Sequence, residues 1–277
     1  MEYVVGFVIA IFISLTGVGA GTITTPLLIL FLGVPTTTAV STGLMFSAAV
    51  KLALIPSQLL RKQVNWRVLG WMLLGGMPGV LLGSFVLVHL ATDGSKQLMN
   101  GILGAVLVGT AIYQIFYSFR PLTRNYARPN RILWMPLLMM PVGAEVGFSS
   151  AGAGALGTAA LLSLTDLLPA QVVGTDILFG FLLSLVGSGA HWFSHSADPG
   201  LLLHLVMGGL IGVVVGTSFA KFIPKRPLRF ALWLWLLVIG TQVLYTSGSP
   251  QKIIRKGLDL YRVALSNTPL KYLARNS

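Results

Sequence analysis

Gly17-Val18-Gly19-Ala20-Gly21, followed by Thr22 and then Pro26, interrupts an apolar run over residues 4–32. Three glycines at alternate positions let a chain turn and let a second backbone or a ligand approach closely. At about 1.5 Å per residue, an unbroken helix over the whole run would outreach a bilayer core of about 30 Å. The run therefore tilts steeply, crosses with a break, or turns back at the glycines as a re-entrant hairpin. Each unpaired N–H or C=O in hydrocarbon costs several kcal/mol, so broken backbone survives there only inside protein or beside a watery cavity. The glycines thus mark a place where backbone meets something other than lipid.

The chain around this stretch has 277 residues, of which 55% are hydrophobic and 9% charged, and its mean hydropathy is +0.82. Soluble domains average about 25% charged residues, so the composition specifies an all-α polytopic membrane protein. Its formal net charge of +12 comes from 19 Lys and Arg against 7 acids. These basic residues lie between or after apolar runs, the pattern of cytoplasmic loops facing anionic lipid head groups. A nucleic-acid surface would interleave them with aromatics, and no nucleic-acid partner is expected. Cysteine is absent, which excludes disulfides, iron–sulfur ligation and thiol nucleophiles. Met1-Glu2-Tyr3 lacks the basic start of a secretory signal, so the first helix is expected to stay in the mature protein.

Outward from the glycines, Gly33-Val34-Pro35 ends the first run, and Thr37 or Thr38 is placed to cap a helix over about 39–60 that carries Lys51 and Pro56. A basic loop over 61–67, with an interfacial Trp66, reads as cytoplasmic. Further spans are expected over about 68–90, 98–117, 132–148, 156–164, 172–192, 201–222 and 228–245. The organisation is a first transmembrane repeat over 1–117, a basic linker over 118–131, a second repeat over 132–246 and a basic, partly amphipathic tail over 247–277. The tail reads equally as an interfacial helix or a disordered end. The whole makes about eight transmembrane segments, each repeat opening with a glycine-broken or re-entrant helix.

The repeat is seen on sliding the second half back over the first until Gly152 falls on Gly19. In that one register Gly154 falls on Gly21, Thr158 on Thr25, Gly174-Thr175 on Ser41-Thr42, and Gly208, Gly212 and Gly216 on Gly75, Gly79 and Gly83. Pro169 needs one extra residue to meet Pro35. Repeats with broken helices in matching positions point to a transporter site near the bilayer midplane. The basic loop 61–67 matches 194–200, which has no Lys or Arg, whereas the neutral loop 91–97 matches 224–230, which has Lys225, Arg226 and Arg229. This exchange of charge favours inverted halves; the basic tail, matching the basic linker, favours parallel ones. Inversion is the stronger reading.

A helix beginning at Thr22 and another at about Ala155 would each present free N–H groups and roughly half a positive charge at the glycine break. That is an anion site without a cationic side chain. Gly19, Gly21, Gly152 and Gly154 shape it, and Thr22, Thr25, Thr42 and Thr175 offer hydroxyls, as does Thr24. Equally, the glycines can serve tight packing alone and the threonines can bond back to their own helices. Ionisable residues within apolar runs are functional suspects: Lys51 for substrate, and Glu145 and Asp176 for coupling a proton or balancing Lys51. Asp176 also reads as a residue at a helix start. His191 and His195, flanking Trp192, read as interfacial loop residues rather than metal ligands. The glycine turn lacks the Lys-Ser/Thr ending of a phosphate loop, and no nucleophile elbow is present. Neither catalytic residues nor a metal or cofactor is expected.

Gly17-Val18-Gly19-Ala20-Gly21, Pro26-Leu27-Leu28, Gly33-Val34-Pro35 and Ala39-Val40-Ser41-Thr42 together resemble the sulfite exporter TauE/SafE family. The second half repeats the pattern more faintly as Ala151-Gly152-Ala153-Gly154, Pro169 and Val173-Gly174-Thr175. The chain departs from the pattern in having Ala20 at the fourth position of the turn, and Ala159 where the first half has Pro26. The resemblance implies a multi-pass carrier in a bacterial inner membrane that moves a small anion such as sulfite, a sulfonate or another organosulfur compound. Alternating access between the repeats is the expected mechanism. An uncoupled channel-like permease of the same fold, or an intramembrane enzyme or assembly subunit, are the alternatives. Proton or sodium coupling and homo-oligomer formation stay open.

Overall fold

The computed structural model describes residues 2–16, 20–92, 96–118, 132–192, 198–219 and 225–246. Gly17 to Gly19, the basic part of the linker, His195 and the tail lie outside the described residues. The described residues form ten α-helices: α1 (Glu2–Thr16), α2 (Ala20–Leu32), α3 (Thr36–Leu60), α4 (Trp66–Thr92), α5 (Lys96–Ser118), α6 (Met135–Ser149), α7 (Ala153–Leu164), α8 (Pro169–Trp192), α9 (Pro199–Phe219) and α10 (Lys225–Thr246). A 3-10 turn, Ile132–Trp134, leads into α6. Among the described residues there are no strands.

Among the described residues, six stretches are long and apolar enough to cross a membrane: Thr36–Leu60, Trp66–Leu90, Leu98–Phe116, Ile132–Ser149, Pro169–His191 and Pro199–Phe219. Shorter apolar helices cover Glu2–Leu15, Gly21–Leu32 and Phe230–Tyr245. The chain is a multi-pass membrane protein, helical as its composition requires.

Helix starts keep a single register. The offset that lays Gly152 on Gly19 also lays the first residue of α6 on that of α1, α7 on α2, α8 on α3 and α9 on α4. The prolines nevertheless fall one residue out of step, because Pro35 is the N-cap residue of α3 whereas Pro169 is the first residue of α8. Proline tolerates the first helical turn, whose N–H groups have no partner in the helix. Pro35 also displaces the expected cap. α3 starts at Thr36, three residues early, and no side-chain hydrogen bond closes its end; Thr36 bonds instead to Asn100 on α5.

Glycines decide which helices touch. Without a hydrophobic drive between helices in lipid, association rests on close packing at small residues. A Cβ at Gly75, Gly79 or Gly83 of α4 would overlap the carbonyl of Pro136, Met140 or Ala144 of α6. Both numberings rise together, so α4 and α6 run parallel. α9 lies on α1 in the same manner, with Gly208 on Tyr3, Gly212 on Phe7 and Gly216 on Ile11 and Ser14. α3 and α8 cross antiparallel, with Leu44 against Gly187 and the Ser184 hydroxyl 3.1 Å from that of Ser47. α5 and α10 are also antiparallel, Gly104 facing Leu244 and Gly240 facing Val108. Each opening helix is therefore clamped to the fourth helix of the other half.

Candidate functional site

The second glycine break is the better described of the two. α6 ends at Ser149, and Ser150 takes a left-handed conformation (φ 62°) with its N–H bonded to the Val146 carbonyl at 2.8 Å. For a residue other than glycine this backbone costs about 1–2 kcal/mol. Ser149 stitches the turn, its hydroxyl donating to the Glu145 carbonyl at 2.9 Å and accepting from Ala151 N–H at 3.1 Å. Gly152, at φ 93°, then directs the chain into α7, whose first turn has no side-chain cap. Both α2 and α7 begin two residues earlier than their sequence suggests, at Ala20 and Ala153. Thr22 thus sits inside the first turn of α2 rather than at its start.

The start of α2 meets the second break. A Cβ at Gly21 would overlap the Ser150 carbonyl and hydroxyl, so only glycine lets α2 lie against this turn. A Cβ at Gly43 of α3 would stand 2.7 Å from Thr25 Oγ1 and 3.1 Å from Ser150 Oγ. Hydroxyls from α2 and from the second break therefore converge on a bare stretch of α3. Thr22, Thr24, Thr25, Ser41, Thr42, Ser149 and Ser150 are all buried. Thr25 reaches the Ala39 carbonyl at 3.5 Å. The Thr42 and Ser150 hydroxyls have no hydrogen-bond partner, although a buried unpaired hydroxyl costs about 1–3 kcal/mol. Thr22 also borders a cavity of about 10 Å³ against Trp233 of α10, room for one water.

Other candidates lie elsewhere. Thr175 accepts the Asn65 N–H at 3.0 Å and so anchors the loop between α3 and α4. Gly154 is in the first turn of α7, next to the break. Glu145 stands behind the turn: Thr110 of α5 bonds to its carboxylate, and a Cβ at Gly152 would come within 2.9 Å of it. Lys51, only 5% exposed, and Asp176, 4% exposed, are buried within electrostatic reach of each other. Asp176 also accepts from the Thr158 hydroxyl at 2.8 Å. The reading of Asp176 as a helix-start residue is corrected, because α8 begins at Pro169 and Asp176 lies two turns in.

His191 requires a second correction. It is inside α8 and fully buried, not in a loop, with Nε2 3.2 Å from the Gly147 carbonyl. Ser84 of α4 donates to the same carbonyl at 3.4 Å, so α4, α6 and α8 are tied just ahead of the break. His204 bonds to Glu2 and holds α9 to α1, its ring 4.6 Å from that of Tyr3. His89 stacks on Phe85 at 5.8 Å. No cluster of metal-ligating side chains occurs among the described residues.

Ser150 was not among the residues singled out from the sequence. Its signal is the pair Ser149-Ser150 just ahead of Ala151-Gly152, polar residues placed where an apolar helix must end. Thr110 is hidden more thoroughly, since nothing local distinguishes it from other threonines that bond back to their own helix.

The chain matches the family described as Sulfite exporter TauE/SafE over residues 3–243. It is 32% identical to the probable membrane transporter protein YjnA of Bacillus subtilis over 251 residues, covering 86% of this chain and 97% of that one. A second Bacillus subtilis relative, the probable membrane transporter protein YdhB, is 24% identical over the same shares of the two chains. A probable membrane transporter protein of Xylella fastidiosa is 29% identical over 106 residues, 38% of this chain and 40% of that one. No solved structure matches the chain. The chain belongs to the sulfite exporter TauE/SafE family, and it is a membrane transporter rather than an enzyme.

Proposed function

We propose that this member of the TauE/SafE family carries a small anion, sulfite or a sulfonate or another organosulfur anion, across a bacterial inner membrane by alternating access. One observation carries the reading: where α2 and Gly43 of α3 meet the second glycine break, the Ser150 hydroxyl is buried without a hydrogen-bond partner, and that of Thr42, the neighbour of Gly43 in α3, is likewise unpartnered. Hydroxyl donors in a dry site strengthen any bond to an oxyanion. The uncapped first turn of α7 adds backbone N–H groups and the positive end of a helix dipole. Sulfite offers three oxygens to such donors without needing a cationic side chain.

Removing one donor tests the site. Ser150→Ala is expected to weaken sulfite binding about 10- to 100-fold, the equivalent of a lost charge-assisted hydrogen bond. The melting temperature of the ligand-free protein should hold or rise, because the hydroxyl has no protein partner to lose. Sulfite flux into proteoliposomes and thermal unfolding in detergent measure the two effects. Unchanged flux at low sulfite would remove Ser150 from the site.

The repeats are read as inverted. Helices joined by short connections run antiparallel, so α3, α5 and α9 point one way and α4, α8 and α10 the other. α1 is parallel to α9 and α6 to α4, so α2 and α7 run back against the helices before them, which supports reading them as the return limbs of hairpins. Two re-entrant hairpins and six crossings make the eight segments. Reporter fusions placed after Gln97 and after Arg229 should then sit on opposite sides of the membrane. Finding them on one side would rule inversion out.

A further inference from the structure

In the register of the repeat, Asp176 holds in α8 the place that Gly43 holds in α3. Around Gly43, Thr25 and Ser150 present hydroxyls to bare backbone. Around Asp176, it is Thr158, the counterpart of Thr25, whose hydroxyl donates to Oδ2 at 2.8 Å. Space for the carboxylate comes from Gly157, where a Cβ would overlap Oδ1; the matching residue in the first half is Thr24. The halves have therefore traded volume, Thr24 with Gly43 against Gly157 with Asp176. Only one of the two places brings a charge, and Lys51 from α3 supplies the opposite one. Carboxylates inside membrane segments are retained when paired in this way.

We propose that Asp176 is a resident anion: its carboxylate fills, in the second half, the place that the transported anion takes in the first, with Lys51 as its fixed counter-ion. The chain accordingly has one exchangeable anion site instead of two. This rests on the anion site proposed beside Gly43 and Ser150.

Asp176→Gly should open a second site sized for a small carboxylate. Formate is the probe, titrated into the full-length protein in detergent. Saturating formate is expected to raise the melting temperature of Asp176→Gly by about 3 °C or more. The wild type, which keeps only the site beside Gly43 and Ser150, should shift by clearly less, as should Lys51→Met/Asp176→Gly, which lacks the counter-ion. No response in Asp176→Gly, an equal response in the wild type, or an equal response in the double variant would each overturn the proposal. Because the glycine variant buries an unpaired lysine, its yield of monodisperse protein is also compared with and without formate during extraction. A yield that formate does not raise, with no folded protein to melt, overturns it too. Formate rescue without any sulfite flux would retire the substrate reading and leave the resident anion standing; sulfite flux without formate rescue would retire the resident anion alone.

Discussion

Gly21→Val is expected to abolish sulfite flux, by about 100-fold or more, and to lower stability by about 3 kcal/mol or more. The first Cβ would overlap the Ser150 carbonyl, which is backbone and cannot rotate away. Ser150 is itself held in a left-handed conformation by its bond to the Val146 carbonyl, so the strain passes to α6 or separates the two breaks. Either result parts the hydroxyls of Thr25 and Ser150 that face Gly43. Gly109→Val on α5 is the control, since a Cβ there meets nothing within 4 Å. Adding Ser150→Ala should not rescue Gly21→Val, because the carbonyl overlap persists. Flux and melting temperature of the four proteins decide the matter, and a functional Gly21→Val would mean that the breaks need not touch.

Lys51→Met is expected to cost about 3–5 kcal/mol, and Lys51→Met/Asp176→Asn to recover most of it. Both groups are almost wholly buried. Removing the ammonium strands a carboxylate with the Thr158 hydroxyl as its hydrogen-bonding neighbour, and that charge cannot reach water. Neutralising both leaves an amide that can still accept from Thr158. A double-mutant cycle on thermal unfolding measures the coupling. If the double variant is no more stable than Lys51→Met, the two side chains act independently and the pairing has no energetic weight. The pair also bears on binding. Lys51 lies two turns of α3 beyond Gly43 and within electrostatic reach of Asp176, so under the proposed site it balances charge within the protein, and the anion is left to hydroxyls and backbone.

Much of the architecture is legible in the sequence. Long apolar runs, basic loops and glycines that recur in one register leave few options besides a bundle of membrane helices interrupted at glycines. Boundaries slipped where local rules compete. Pro35 starts α3 in place of a capping threonine, and α2 and α7 begin within the glycine stretches because packing against neighbours outweighs the low helix propensity of glycine. His191 was misplaced because a histidine beside Trp192 near an apolar segment's end suits the interface equally well; only its bond to the Gly147 carbonyl puts it inside.

What the sequence determined by itself was the solvent and the punctuation: a chain this apolar must bury its backbone polar groups in helices within lipid, and glycine pairs must mark where those helices break or touch. Which breaks meet, and what they enclose, belonged to the tertiary structure. Gly21 and Ser150 are far apart in the chain, as are Thr25 and Gly43 from Ser150, and they come together only in the packed bundle, where α1 is clamped to α9, α6 to α4 and α3 to α8. Side-chain periodicity says which face of a helix is small, but not which other helix will fill it. That choice depends on the fit of whole surfaces, and it is what gathers Thr25 of α2 and Ser150 of the second glycine turn into one buried cluster of hydroxyls at Gly43.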